Sequence, residues 1–207
     1  MTAGRLTLRL LLGGALVAGW LAGRPDGVAG HDLPDWQREP LQEATDRPPF
    51  TLETRHGLAT ITPRAAYDVA AHVLRVEPYH VDATAFLSPF DFALAWGELP
   101  TPGILDRLSV TQSARFYYWR TSDDSVDPAY VIRHSANTHL IPASVNVRRA
   151  LATVGRGDSV RLRGLLVDVD SDRGLTWRTS LTRTDHGDGG CELLWVESIQ
   201  VGDRLYE

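Results

Sequence analysis

The feature of this 207-residue chain that most constrains its fold is the stretch Asp158–Val169, in which apolar residues alternate with polar ones. Before Gly164 the apolar residues are Val160 and Leu162, which gives the two-residue period of a half-buried strand. After the glycine the alternation restarts one residue out of step, beginning at Leu165. A frame shift at a glycine is typical of a β-bulge or a sharp strand bend. The stretch therefore predicts a bent strand that serves two sheets or curls around a small barrel.

Composition limits the class of protein and the kind of partner. A hydrophobic content of 43% and a charged content of 23% are typical of a globular domain. The formal net charge of −5 disfavours nucleic acid, because an acidic surface repels the phosphate backbone. Cys191 is the single cysteine, so no internal disulfide can form and the core must supply the stability.

The N-terminal residues have the pattern of an export signal. Arg5 and Arg9 precede the uncharged run 10–23, which as a helix would span roughly 21 Å, less than the ~30 Å of a bilayer core. A basic start, a short apolar run and small residues at 28–30 are typical of a secretory signal peptide. We expect residues 1–30 to be that signal, or alternatively an uncleaved signal anchor. Either way the rest of the chain is expected outside the cytoplasm, either periplasmic or anchored in the inner membrane facing the periplasm.

The remaining chain is expected to contain a disordered, proline-rich tether at 31–49, a single β-rich domain at 50–201 and a tail at 202–207. Within the domain, strands are predicted at 50–62, 65–79, 108–120, 130–135, 158–169, 177–185 and 191–201. The apolar residues of segment 65–79 also fit the spacing of an amphipathic helix. We predict a strand because the segment is rich in residues with high β propensity. Two short helices are predicted from cap signals, one over Ser88–Gly97 and one over Ser144–Gly155.

Three segments carry a resemblance to a known family: 87–97 (LSPFDFALAWG), 134–143 (HSANTHLIPA), and 179–185 (TSLTRTD) followed by GGCE at 189–192. They resemble a family of uncharacterised bacterial envelope-associated proteins over roughly residues 50–201. The resemblance implies a bacterial origin and one continuous domain, and it carries no activity. The strand–glycine–strand pattern also resembles an OB-like barrel. The predicted fold is α+β and mostly β, an antiparallel sheet or small OB-like barrel with two short helices.

Two groups of residues are candidates for chemistry. Asn137 and His139 lie in a segment expected to be a loop, where a histidine beside an amide suits a general base and its orienting group. The alternative is that both side chains bond the loop backbone. Cys191 is a candidate nucleophile with His139 or His186 as its base. Segment 184–191 resembles the Ser-His-Gly-Cys signature of L,D-transpeptidases, but His186 lies five residues before the cysteine instead of two. The alternative is a buried cysteine that packs as a small apolar residue.

A third group consists of Arg115, Arg178 and Arg183 with Asp185 and Glu192. These residues suit an anion pocket for a carboxylate or phosphate ligand, because arginine binds both groups with two parallel hydrogen bonds. Alternatively, an Arg183–Glu192 ion pair fixes the register of two paired strands. Separately, Trp96, Tyr117, Trp119 and Trp177 are candidates for a surface that stacks on a sugar, or for core residues.

No standard metal spacing and no cofactor motif occurs in the sequence, so neither a metal nor a cofactor is expected. The predicted function is that of an exported envelope protein acting as a non-enzymatic binding or accessory module. Its expected partner is an unknown envelope component or a small anionic ligand, with the membrane as a further partner if the leader is not cleaved. The alternative is a cysteine-nucleophile hydrolase or transpeptidase acting on cell-wall peptides.

Overall fold

The computed structural model describes residues 23–183 and 190–207, and these are mostly β. The strands are β1 (Leu41–Glu43), β2 (Phe50–Thr54), β3 (Gly57–Pro78), β4 (Phe90–Ala95), β5 (Ser109–Ser113), β6 (Phe116–Arg120), β7 (Ser135–Pro142), β8 (Ser159–Ser171), β9 (Thr176–Trp177), β10 (Glu192–Val201) and β11 (Arg204–Tyr206). The helices within the same residues are α1 (Pro102–Leu105), α2 (Pro128–Arg133) and α3 (Val145–Leu151).

Five strands close into a barrel. β3 pairs with β4 and β4 with β7, both antiparallel, while β7 pairs with β10 in parallel. β10 then pairs with β8, and β8 returns to β3, both antiparallel, so the ring is complete. Helix α3 connects the third barrel strand to the fourth. This order of five strands, with its one parallel pair, is that of an OB-like barrel, which confirms the predicted fold class. The interior is filled by large apolar side chains, among them Val69, Phe92, Leu140, Leu162 and Leu194.

The long strand β3 organises the barrel. Its residues alternate between buried and partly exposed over most of its 22 positions, which confirms a strand rather than a helix for segment 65–79. It pairs with β1, β2, β4 and β8. Register shifts at Pro63/Ala65 and Val73/Arg75 bend it, so that one strand can contribute to a closed wall.

The frame shift at Gly164 has a different cause from the one predicted. The bulge lies on the partner strand β10, between Val196 and Ser198, while β8 continues through Gly164 without an extra residue. Leu166 stays on the barrel side with Leu162. Leu165 faces the opposite side, where a second core of β2, β3, β7, β8 and β10 residues covers it. Both faces of β8 are therefore buried after the glycine, which produces the same sequence pattern as a bulge.

Several local predictions were wrong. Ser88–Gly97 forms strand β4 instead of a helix, because Phe90, Phe92 and Leu94 alternate into the barrel and this burial outweighs the cap signal. Segment 130–135 is mostly helix α2, whose N-cap Asp127 accepts a hydrogen bond from Ala129 N (2.9 Å). Helix α3 confirms the second predicted helix, with the Ser144 hydroxyl accepting a hydrogen bond from Val147 N (3.0 Å).

The aromatic segment 108–120 is a hairpin instead of one central strand. Its strands β5 and β6 form a separate two-stranded sheet, and the turn places Ala114 and Arg115 at positive φ angles of 50° and 70°. Segment 177–185 differs as well: in its described part, residues 177–183, Trp177 is the only strand residue, at the end of the short strand β9 (Thr176–Trp177). The predicted last strand corresponds to β10.

The segments on either side of the predicted domain pack on the barrel. β1 lies inside the segment 31–49, where a disordered tether was expected, and pairs with β3. β11 lies in the expected tail 202–207 and pairs with β10. Val28 and Leu205 exchange two backbone hydrogen bonds of 2.9 Å. Among residues 23–183 and 190–207, no helix has the length and apolar character needed to cross a membrane.

Candidate functional site

The candidate site lies on the outer face of β4 and β7. Asp91 on β4 is the register partner of His139 on β7, and Ala93 is the partner of Asn137. Because alternate residues of a strand share one face, Asn137 and His139 point to the same side. Asp91, Asn137 and His139 are buried, at 0%, 2% and 4% exposure. The segment expected to be a loop is thus a rigid barrel strand that presents both candidate residues.

Arg115 is fixed between two carboxylates at the hairpin turn. Its guanidinium donates to both oxygens of Asp82 (3.0 and 2.9 Å) and to Asp91 Oδ1 (2.7 Å). The group also stacks on the Tyr79 ring at 3.6 Å from the centroid. Burial alone would raise the pKa of Asp82, but hydrogen bonds from Arg115 and Thr84 outweigh it, and the pKa is lowered. The guanidinium group of Arg115 therefore forms internal ion pairs, and an anionic ligand would have to compete with Asp82 and Asp91 for it.

His139 lies between a carboxylate and an aromatic ring. Its Nδ1 is 2.9 Å from Asp91 Oδ1, although the two groups are not aligned as a hydrogen bond. Its ring packs on Trp177 with 4.8 Å between the centroids. Asp91 Oδ2 is buried and has no hydrogen-bond partner among residues 23–183 and 190–207. The carboxylate and the indole ring together hold the imidazole in one orientation.

The side-chain amide groups of Gln112 and Asn137 connect the β5–β6 hairpin to Cys191. Gln112 Nε2 donates to Asn137 Oδ1 (2.7 Å), and Asn137 Nδ2 donates to the carbonyl oxygen of Arg115 (2.9 Å). The same Nδ2 lies 3.7 Å from Cys191 Sγ. Asn137 thus holds the hairpin turn and the start of β10 together, and its role is at least partly structural.

Two cavities are lined by these hydrogen-bonded residues, and a third shares lining residues with one of the two. The Trp177 cavity, of about 440 Å³, is lined by Thr84, Arg115, Phe116, His139, Leu175, Thr176, Trp177, Arg178 and Cys191. The Tyr117 cavity, of about 240 Å³, is lined by Phe116, Tyr117, Trp119, Ile132, Ser135, Ala136, Asn137, Thr182, Arg183, Gly190, Cys191 and Glu192. The Glu39 cavity, of about 610 Å³, is lined by Glu39, Gln42, Arg133, His134, Leu181, Thr182 and Arg183.

The other two candidate arginines are also paired. Arg178 Nη2 donates to Asp170 Oδ1 (2.7 Å), and its Nε lies 4.0 Å from Asp168 Oδ2. Arg183 donates to Glu39 Oε2 (2.8 Å) and to the carbonyl oxygen of Pro40 (2.8 Å). Each guanidinium therefore has a carboxylate beside it, and the three arginines do not converge on one anion position.

Tyr117 supplies a neutral polar group in the Tyr117 cavity. Its hydroxyl lies 2.6 Å from the Ser135 hydroxyl. Burial raises the pKa of Tyr117 to about 12, so the phenol stays protonated at neutral pH. The cavity thus contains a neutral hydroxyl pair beside the charged residues Arg183 and Glu192.

The structure brings some of the candidate residues together and separates others. Asn137, His139, Arg115 and Cys191 meet at the hairpin turn, while Arg178 lies on one side and Glu192 on the other. Trp96 is buried, at 1% exposure, so it cannot act as a stacking surface. The candidates Asp185 and His186 lie outside the described residues.

Sequence reasoning missed the residues that fix this network. Asp91 lies in the segment predicted to be a helix, and its pairing with His139 follows only from the register of β4 and β7. Asp82 and Gln112 come from a loop and the hairpin, and nothing in their local sequence marks them as partners of Arg115 and Asn137. Trp177 was among the stacking candidates, and it is the tryptophan that lies against His139.

Comparison of the chain with protein-family models, with curated proteins and with solved structures finds no match. The described parts of the three segments that resemble the envelope-associated family include neighbouring strands: 87–97 contains β4, 134–143 contains β7, and Glu192, the last residue of the third segment, begins β10. Since β4 pairs with β7 and β7 with β10, they form one continuous part of the barrel wall.

Proposed function

We propose that this chain is an exported, non-enzymatic module of the bacterial cell envelope that binds an uncharged glycan in the Trp177 cavity. The observation that carries the proposal is the position and chemistry of this cavity. It is lined by His139 of the third barrel strand and by residues of the segments after the first, second and fourth strands. OB-like barrels bind their ligands at the face of the second and third strands and at the loops after the first and fourth, so the cavity overlaps this surface in part. Its volume of about 440 Å³ is in the range of small-ligand sites.

The pairing of the arginines supports an uncharged ligand. Arg115 contacts Asp82 and Asp91, and Arg178 contacts Asp170. An anion would have to compete with these carboxylates for the guanidinium groups. An uncharged envelope component is therefore supported over the small anionic ligand, and the net charge of −5 also disfavours anionic polymers.

The remaining lining groups suit a sugar. Trp177 and Phe116 offer aromatic surface, while Thr84 and Thr176 offer hydroxyl groups. Sugar rings have an apolar face and a polar rim, and a mixture of aromatic surface and hydroxyls matches both. The export signal predicted in residues 1–30 supports a location where cell-wall glycans are accessible.

The test is calorimetric titration with N,N′-diacetylchitobiose, an uncharged disaccharide. We expect saturable binding that Trp177→Ala weakens at least about tenfold, the effect of losing ~1.4 kcal/mol of contact. Trp36→Ala is the matched control, because Trp36 lines none of the three cavities, and it is expected to leave the affinity unchanged. Absence of disaccharide binding, or equal losses in the two variants, would contradict the proposal. Binding of citrate that Arg178→Gln abolishes would favour the anionic ligand instead.

A cysteine-dependent hydrolase acting on cell-wall peptides is the second candidate. The observation that favours it is that His139, paired with Asp91, and Cys191 line the same cavity. In that reaction His139 would take the thiol proton while Cys191 Sγ attacks the amide carbon, and would then pass the proton to the leaving amine. Water would cleave the resulting thioester, releasing the acid and restoring the thiol.

Alkylation of Cys191 by iodoacetamide separates the two candidates. A binding module is expected to react slowly at pH 7, with a rate that His139→Ala does not lower. A nucleophile activated by His139 would react quickly near pH 6, and the rate would fall at least about tenfold in His139→Ala. The second result would replace the binding proposal with the enzymatic one.

A further inference from the structure

The three cavities are consecutive. The Trp177 cavity and the Tyr117 cavity share Phe116 and Cys191 as lining residues. The Tyr117 cavity and the Glu39 cavity share Thr182 and Arg183. Among residues 23–183 and 190–207 the Trp177 and Glu39 cavities share no lining residue, so the Tyr117 cavity lies between them.

We infer that the three cavities form one groove that binds a linear, uncharged oligosaccharide of more than two sugars. The inference rests on the proposed function, because it takes the glycan in the Trp177 cavity as one end of a longer ligand. A small ligand would need only the first cavity. A polymer strand would continue past Phe116 and Cys191 toward the segment that contains Glu39.

Neutral hydrogen-bonding groups line all three cavities, and large aromatic side chains line the first two. Aromatic side chains recur from the first cavity to the second, as Trp177, Phe116, Tyr117 and Trp119. Neutral hydrogen-bonding groups occur in each cavity: Thr84 and Thr176 in the first, Ser135 and Asn137 in the second, and Gln42 and Thr182 in the third. A repeating ligand made of sugar units would find an apolar surface or a polar partner at each position.

Arg183, between the second and third cavities, is paired with a carboxylate, as Arg115 and Arg178 are in the first. Arg183 is shared by the second and third cavities, and its guanidinium is paired with Glu39. The His134 ring also contacts Glu39, with 3.0 Å between Nε2 and Oε1. The cation that the second and third cavities share is thus paired, which favours a glycan over an acidic peptide at that junction. Arg133 is a further cation in the lining of the third cavity.

The experiment measures affinity against ligand length with β-1,4-linked N-acetylglucosamine oligomers of two to six units. We expect the affinity to rise at least tenfold between the dimer and the tetramer and then to level off. Thr182→Trp places a bulky group at the junction of the second and third cavities, on an exposed residue. We expect it to reduce the affinity for the longer oligomers at least tenfold and to leave dimer binding unchanged. Thr51→Trp, on the exposed side of β2, is the matched control.

The outcomes distinguish the groove from the proposed function. If the dimer binds but neither chain length nor Thr182→Trp changes the affinity, the groove inference is overturned and the proposed function stands. If no oligomer binds, the proposed function fails first, and the groove as a glycan site fails with it. Length-dependent binding of an uncharged extended peptide, without binding of any oligosaccharide, would overturn the assignment of the ligand class.

Discussion

Gly164 on β8 lies directly beneath the carbonyl group of Trp195 on β10. A Cβ atom built on this glycine would be 1.8 Å from the Trp195 oxygen and 3.0 Å from its carbonyl carbon. The neighbouring bulge at Val196/Ser198 brings the β10 backbone over β8 at this point. Two barrel strands therefore approach each other at a position where only glycine fits.

Replacing this glycine is expected to disrupt the barrel. Gly164→Ala forces the β10 backbone to move, and we expect it to lower the free energy of unfolding by ~3 kcal/mol. Gly103→Ala is the matched control, because a Cβ there meets nothing within 4 Å. Urea denaturation of the two variants measures the difference, and equal stabilities would show that the backbone relaxes at little cost.

The Arg115–Asp91 pair is expected to act as a unit. Arg115→Met leaves the Asp91 carboxylate, which is 0% exposed, without its guanidinium partner, and should cost about 3–5 kcal/mol. Adding Asp91→Asn removes the buried negative charge that has lost Arg115, so the double variant is expected to be more stable than Arg115→Met alone. A double-mutant cycle by chemical denaturation measures this coupling. Arg173→Met, on an exposed residue, is the control, and additive losses at Arg115 and Asp91 would contradict the pairing.

Asp68 is expected to make stability depend on pH in the acid range. Its carboxylate accepts hydrogen bonds from Arg161 (2.7 and 2.6 Å) and Arg163 (3.1 Å). Burial alone would raise the pKa of Asp68, but the two arginines outweigh it, and the pKa is lowered in the folded protein. The stabilisation is therefore present above the unfolded-state pKa of about 3.9 and is lost as the pH falls through the lower folded-state pKa.

The comparison of wild type with Asp68→Asn isolates this contribution. We expect the variant to be less stable by ~1 kcal/mol at pH 7, since the pair is only partly buried, and the difference to shrink at acid pH. Thermal unfolding from pH 7 to pH 2 measures both. Glu53→Gln, an exposed carboxylate on β2, should show no comparable change. A difference that grows as the pH falls would contradict the direction given for the pKa.

Glu39 is expected to hold the segment before β1 against the barrel. It accepts a hydrogen bond from Trp96 Nε1 (3.2 Å) and pairs with His134 and Arg183. Glu39→Ala should therefore raise the hydrogen-exchange rate of the Gly97 amide, which donates to Trp36 O (2.8 Å), by about fivefold, the effect of ~1 kcal/mol. Glu43→Ala, on the exposed strand β1, is the control. Faster exchange throughout the barrel would indicate global destabilisation instead.

The barrel could be predicted from sequence because its signals are periodic. The alternation is long in β3 and clear in β8 before Gly164, and β10 has a continuous apolar run that is typical of a strand buried on both faces. The prediction for Ser88–Gly97 was wrong because a serine followed by a proline is a local signal for the start of a helix. Phe92 and Leu94 are instead buried in the barrel interior, and this burial depends on strands that are distant in the sequence. The helix after Ser144 was predictable because its cap signal and its packing agree.

The site was predictable only in part. Asn137, His139 and Cys191 have side chains that suggest chemistry by their type alone, and the barrel does bring them together. Whether Arg115 is free for a ligand depends on Asp82 and Asp91, which reach it from a loop and from another strand. Such long-range pairings carry no local sequence signal. The sequence therefore suggested an anion pocket where the structure contains internal ion pairs.

The pairing of β3 with β8 also determines how the chain can be divided. These strands meet across large separations in sequence, such as the 95 residues between Asp68 and Arg163. A fragment that ends before β8 keeps a 22-residue strand with one barrel edge open, and open strand edges pair with other chains. Truncated products of this protein should therefore aggregate, and no half of the barrel is a folding unit by itself.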